Sequence, residues 1–251
     1  MTAHGVYVYG IVRSGHPGVD GRPGVGLPPR PVRALPVSGL AAVVSDAPEG
    51  LRARRRDLMA HQDLLLALAA HGPVLPMRFG MVAPDEDSLV SRLEPPEDHL
   101  AALERLADRA EMNLKAMPAE DALEDLVRQD ARVRRLRQAA LRVPGYEADV
   151  RLGEAVAAGL DRRAREAARL VAAELSALAD GTAPGSRTPG CVLNTSFLVP
   201  RARMERFTAA AEELAVRHRR RAVLRLTGPL PCYSFVDTAT ASALRSVRAG
   251  V

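Results

Sequence analysis

The chain has 251 residues, of which 47% are hydrophobic and 3% aromatic, with no Trp; its mean hydropathy is −0.07. This is the composition of a globular protein with a substantial core, and the length suits two domains of ordinary size better than one. A net charge of +5 and a pI near 9.8 admit nucleic acid or an anionic membrane as partners, but Lys115 is the only lysine, an Arg bias that genome composition accounts for.

Residues 6–12, which include Tyr7 and Tyr9, read as a buried strand. Residues 14–31 are crowded with Gly and Pro and read as a mobile loop; Gly18, Gly21, Gly24 and Gly26 match no phosphate-binding fingerprint. Strands are predicted at 32–36 and 40–44. A helix follows over 57–71 with Leu58, Leu65 and Leu68 on one stripe, stopped by Gly72-Pro73. Residues 74–77 form another strand, and helices follow at 85–93 and 97–110. Residues 111–117 alternate in polarity and read as a strand, with the domain boundary placed just before it, near residue 109, a boundary just after it, near 118, being the alternative.

The second half is predicted to open with helices at 119–142 and 149–179. The longer one carries an apolar stripe from Leu152 through Val171 to Leu178, with Arg162, Arg163 and Glu166 on its other faces. Residues 181–190 read as a linker, 191–199 as a strand, 201–218 as a helix and 222–227 as a strand. That alternation is the order of a ferredoxin-like α/β sandwich. The fold class is therefore α+β, with an N-terminal mixed α+β domain at 1–109 and a C-terminal ferredoxin-like domain with long amphipathic helices at 110–251. The second domain includes residues 228–236, where two prolines flank Leu230 and fix an extended backbone ahead of a short aromatic strand at 233–236.

Chemistry-bearing patterns are sparse. Cys191 and Cys232 lie far apart and belong to no ligand set, so neither a disulfide nor a metal site is expected and a reduced, cytoplasmic setting fits. His61 shares the leucine stripe and reads as a core histidine. His71, ten positions on, would sit about 15 Å away on a continuous helix, too far to share a metal. The carboxylates near 85–87 and 94–97 suit helix starts. No nucleophile motif is present, so no catalytic, cofactor-binding or metal-binding residue is assigned. The five-residue basic runs 52–56 and 217–221 lack the interleaved aromatics of RNA-reading surfaces and read as solvated faces. The apolar segment 64–77 is too short to span a bilayer, and no basic n-region of a signal peptide precedes 6–9.

Two segments stand apart: Val74-Leu75-Pro76-Met77-Arg78-Phe79-Gly80 and Gly228-Pro229-Leu230-Pro231-Cys232-Tyr233-Ser234-Phe235-Val236. Arg78 reads as a guanidinium fixed on an aromatic ring or an acid, and Arg78, Phe79, Pro229, Pro231, Tyr233 and Phe235 are candidates for a core or a partner surface. Together with the 7–12, 43–45 and 152–154 segments, in this order and spacing, they resemble the gas vesicle protein F/L family over nearly the whole chain. Family members commonly have Trp where this chain has Leu230, and Pro where it has Cys232. The resemblance implies a cytoplasmic, non-enzymatic accessory protein of gas vesicles that binds the small hydrophobic shell protein and other accessory proteins, assists assembly or joins the vesicle as a minor component. It implies no cofactor, no nucleic acid and no membrane span. The competing readings are a basic α/β RNA-binding module and a small-molecule enzyme or sensor on a ferredoxin-like scaffold.

Overall fold

The computed structural model describes residues 5–119 and 122–236. The chain folds into two compact units: one runs to Glu111 and is rejoined by the segment from Pro229 on, and the other is Met112–Gly228. The sequence had suggested a division near residue 109 and had kept 228–236 with the second domain. The grouping differs because Tyr233 packs on the core of the first unit and Ser234 is hydrogen-bonded to Glu111.

The first unit is built on an antiparallel sheet. Its strands are β1 (Val6–Arg13), β2 (Arg33–Val37), β3 (Leu40–Asp46) and the two-residue strands β4 (Leu75–Pro76) and β5 (Val82–Ala83). The order is β2-β3-β1-β4, with β5 also pairing with β1. Seven consecutive residues of β1 are buried, as a central strand covered on both faces requires. Helices α1 (Arg55–Ala69), α2 (Glu86–Leu93) and α3 (Glu97–Leu106) complete this unit, and both α1 and α3 pack against β1. Helix α1 buries Asp57, His61, Leu64, Leu65 and Leu68, whereas Leu58, expected on the buried stripe, is 41% exposed. The stripe is turned to face Tyr7 and Tyr9. Asp85 caps α2 by accepting the Ser88 N–H.

The Gly/Pro-rich segment 14–31 is not a loose loop. Val19 and Val25 are buried in the core with Leu64 and Leu65. Backbone bonds from Gly21 N–H to the Val32 carbonyl and from Gly24 N–H to the Arg30 carbonyl tie its ends together. Two buried valines were enough to fix a segment whose composition suggested mobility.

The second unit has strands β6 (Arg109–Pro118, which begins in the first unit), β7 (Gly181–Pro184), β8 (Leu193–Pro200) and β9 (Ala222–Leu230). Their order is β7-β8-β6-β9, the strand order of a ferredoxin-like sheet. Residues 181–184, read from the sequence as a linker, form the edge strand β7, which pairs antiparallel with β8 from Gly181↔Leu198 to Pro184↔Thr195. Helices α4 (Leu123–Gln129), α5 (Ala131–Arg142) and α6 (Tyr146–Ser176) lie between β6 and β7, and α7 (Met204–His218) lies between β8 and β9. The helix expected over 119–142 is broken at Asp130, whose carboxylate accepts the Arg132 and Val133 N–H groups as an N-cap. Asp130 also pairs with Arg162 of α6 at 2.6 Å.

Helix α6 has 31 residues and so spans about 45 Å, more than one small sheet covers. Its length explains the helices beside it. The second half packs Val171 and Leu175 with Phe197, Phe207 and Leu214 in the core of the unit. Its first half packs Ala155 and Val156 with Leu126 and Val133 of α4 and α5. Small residues make this approach possible: a Cβ on Gly159 would come within 2.8 Å of Leu126 Cδ1.

Phe207 is fully buried and its ring centroid lies 5.3 Å from that of Phe197. Phe207→Ala is therefore expected to cost about 3–5 kcal/mol, read as a fall in the urea midpoint. Val216→Ala on the exposed side of the same helix should change stability by no more than about 0.5 kcal/mol.

Candidate functional site: the aromatic cluster of the first unit

The two segments singled out in the sequence meet in one place. Residues 74–80 run beside β1, with the Met77 N–H donating to the Tyr9 carbonyl at 2.8 Å and the Val8 N–H to the Met81 carbonyl at 2.9 Å. Phe79 and Tyr233 both pack on the cluster formed by Tyr7, Tyr9, Leu65 and Leu68. At its centre is His61. Tyr9 stacks on the imidazole at a centroid distance of 5.5 Å, while Tyr7 and Phe79 meet it edge-on at 5.7 and 5.8 Å.

Hydrogen bonding fixes the protons of this cluster. His61 Nε2 lies 2.9 Å from the Met77 carbonyl oxygen, which can only accept, so Nε2 carries the proton. In the neutral ring, which burial favours, Nδ1 then accepts from the Tyr7 hydroxyl at 2.9 Å. The Tyr7 oxygen accepts in turn from the Gly80 N–H at 3.3 Å. Alongside, the Val25 N–H donates to the Tyr9 oxygen at 2.8 Å, Tyr9 lies 3.1 Å from Ser45 Oγ, and Ser45 donates to the Asp46 carbonyl. Tyr9 therefore donates to Ser45. Two relays cross the core with each member given a partner.

Two glycines are required by these relays. Gly80 has φ +85°, a left-handed conformation that lets its N–H point at Tyr7. A Cβ on Gly24 would collide with the Tyr9 hydroxyl and come within 2.7 Å of the Arg30 carbonyl oxygen.

Electrostatics follow from burial. Burial pushes the Tyr7 and Tyr9 phenols above their ordinary values, so both stay protonated donors. Burial also lowers the His61 pKa, partly opposed by the Met77 carbonyl. An unfolded histidine takes up a proton near pH 6.5, whereas the folded ring resists it. In that interval the unfolded chain binds more protons, so this contribution is complete above about pH 6.5 and is lost as pH falls below it. Asp57 is also buried. Desolvation raises its pKa, but the Gly26 N–H together with Arg56 and Arg54 outweighs it and holds the carboxyl below its usual value; the Gly26 bond is 3.0 Å.

The C-terminal segment locks onto the same unit through Glu111, a residue the sequence had not marked. Glu111 is buried. One carboxylate oxygen accepts the Ser234 N–H at 2.8 Å and the other accepts the Ser234 hydroxyl at 2.7 Å. Desolvation, with the charge of Glu111 nearby, raises the Tyr233 phenol to about 12. Residues 233–235 form a 3-10 turn rather than the predicted strand, since Tyr233 N–H bonds to the Pro231 carbonyl and Phe235 N–H to the Cys232 carbonyl. Pro231 is buried, Tyr233, Phe235 and Phe79 are half-buried, and Pro229 is exposed. Arg78 was expected to be fixed on a ring or an acid; it is exposed, and among the described residues its guanidinium joins no ion pair. The Phe79 ring, not Arg78, turns into the cluster. The sequence pattern could have suggested the Tyr7–Tyr9 pairing on one strand face; nothing local marks Glu111 or Asp57 as part of the site.

The arrangement ties α1, β1 and residues 74–80 together. Both His61 nitrogens are occupied by fixed partners. Among the described residues no three His, Cys, Asp or Glu side chains gather in a manner that could hold a metal ion, and no helix is long and apolar enough to cross a membrane.

Comparison with known proteins gives a consistent result. The profile of the family described as gas vesicle synthesis protein GvpL/GvpF matches residues 5–237. Gas vesicle protein F of Streptomyces sp. (strain CB03234) is 44% identical over 236 residues, covering 92% of this chain and 99% of that protein. The crystal structure of GvpF from Anabaena sp. PCC7120 shares the fold with a TM-score of 0.74 at 24% identity, over 92% of this chain and 98% of that one. GvpF from Microcystis aeruginosa gives a TM-score of 0.71 at 22% identity, with the same coverage.

Removing the Tyr7 hydroxyl strands both His61 Nδ1 and the Gly80 N–H. Tyr7→Phe is expected to cost about 1–3 kcal/mol, measured by denaturant unfolding at pH 7.5. Glu111→Ala should expose the segment around Ser234 to limited proteolysis while the second unit stays protected.

Proposed function

The chain belongs to the GvpL/GvpF family of gas vesicle synthesis proteins, and on that premise we propose that it is a non-catalytic accessory protein that binds the small hydrophobic shell protein during vesicle assembly in the cytoplasm, or joins the vesicle as a minor component. The observation that carries this reading is the match at 44% identity to nearly the full length of a gas vesicle protein F. The aromatic cluster supports a scaffolding role, because its polar groups are spent on one another and on backbone.

Physical chemistry gives the role a reason. A protein that polymerises into a continuous wall exposes apolar surface and unpaired strand edges before it assembles, and both aggregate. A folded partner covers such surface by strand addition or apolar contact until the wall takes it up. In this reading Arg78 and Pro229, both exposed at the mouths of otherwise packed motifs, meet the partner, while Phe79, Pro231, Tyr233 and Phe235 hold the surface in shape.

Co-expression with a gas vesicle shell protein, followed by pull-down at low and high salt, tests the proposal. Capture is expected at both, since a contact of this kind lacks the steep salt dependence of phosphate binding, which loses about 10³-fold or more for many contacts. Arg78→Ala should weaken capture by about 1 kcal/mol or more without lowering the unfolding midpoint. Absence of capture at low salt, or capture of RNA in its place, would contradict it.

A further inference from the structure

The turn between α5 and α6 in the second unit carries a concentration of charge and apolar surface that the cluster described above does not involve. Helix α5, Ala-Arg-Val-Arg-Arg-Leu-Arg-Gln-Ala-Ala-Leu-Arg, contains five arginines and no acidic residue. Only Val133 is buried. None of Arg132, Arg134, Arg135, Arg137 or Arg142 is in an ion pair among the described residues, unlike Arg162, Arg165 and Arg217 elsewhere in the unit. At the end of this helix the surface turns apolar: Leu141 is 73% exposed, Val143 74% and Tyr146 86%. Between the two helices lies an open cleft of about 770 Å³ whose lining includes Arg135, Arg142, Val143 and Tyr146, with Glu147 and Arg151 paired to each other at 3.1 Å on the α6 side.

We propose that this cleft docks an acidic, amphipathic segment of a partner protein. Unpaired arginines on one side and exposed Leu, Val and Tyr side chains at the tip fit a ligand that presents carboxylates beside apolar residues. Guanidinium groups engage carboxylates bidentately, and a Tyr with two rotatable bonds is an economical anchor. Nucleic acid fits the charge but leaves the aliphatic tip without a partner, and Tyr146 is the only aromatic ring there to stack a base. A charge excess of one sign also costs self-repulsion along α5, which a carboxylate-bearing partner relieves. The proposal stands independently of shell-protein binding.

Fluorescence anisotropy with a labelled helical peptide of Glu and Leu, in which one face is acidic and the other apolar, tests it on the full chain. The peptide should bind, and its Gln-for-Glu counterpart should bind about tenfold more weakly or worse. The double variant Arg135→Glu with Arg142→Glu, and separately Tyr146→Ser, should each weaken binding about tenfold. Arg187→Glu, an exposed arginine remote in sequence from the turn, should leave it within about twofold, which separates a local site from net charge. All of these side chains are exposed, so circular dichroism and the unfolding midpoint should match the parent. No binding of the acidic peptide, equal loss with Arg187→Glu, or tighter binding of duplex RNA or of phosphatidylglycerol vesicles than of the peptide would overturn the proposal.

Discussion

A neutral imidazole held between a phenol and a peptide carbonyl organises the first unit. His61 is 2% exposed, and at that depth satisfying both nitrogens and keeping the ring uncharged avoids the cost of unpaired polar atoms and of a buried charge. Tyr7 and the Met77 carbonyl meet both conditions at 2.9 Å each. This one requirement links α1 and residues 74–80 to β1, with Tyr7 lying 54 residues before His61 in sequence. It also fixes why residue 80 is glycine, since its N–H closes the relay on the Tyr7 oxygen. The C-terminal segment then packs Tyr233 onto the same cluster and is held by the buried Glu111 carboxylate.

The second unit answers a different constraint. Its long helix α6 carries small residues where it approaches its neighbours, Ala164 and Ala167 beside Ala222 and Gly159 beside Leu126. Its core relies chiefly on two phenylalanines and aliphatic residues. A short side-chain polar contact runs across β6 and β8, where Asn113 donates to Asn194 and to the buried Ser196 hydroxyl. A core of this kind tolerates repacking better than one whose polar groups must all be paired.

The parts that were legible in the sequence are those with strong periodicity. The buried run of β1, the stripe of α6 and the alternation in the second half led directly to an α+β chain with a ferredoxin-like portion. The errors arose where distant residues overrule local preference. Residues 233–236 have strand-like composition, yet Glu111 and two backbone bonds wind them into a 3-10 turn. The 14–31 segment has loop composition, but Val19 and Val25 are drawn into the core. Leu58 lies at helical spacing from Leu65, but the face of α1 is set by what His61 must reach. Arg78 has neighbours that suggested a fixed cation, and instead the adjacent Phe79 turns inward. The Asp130 break in the long predicted helix was visible as a capping residue, though it was masked by good helix formers on both sides.

The state of the His61 ring tests the account most directly. Nitrogen-15 NMR of the histidine side chains across a pH titration reports which nitrogen is protonated. A neutral ring with its proton on Nε2 is expected to persist as pH is lowered through the range where an exposed histidine titrates, near 6.5. A His61 ring that carries its proton on Nδ1, or that titrates like an exposed histidine while the protein remains folded, would contradict it.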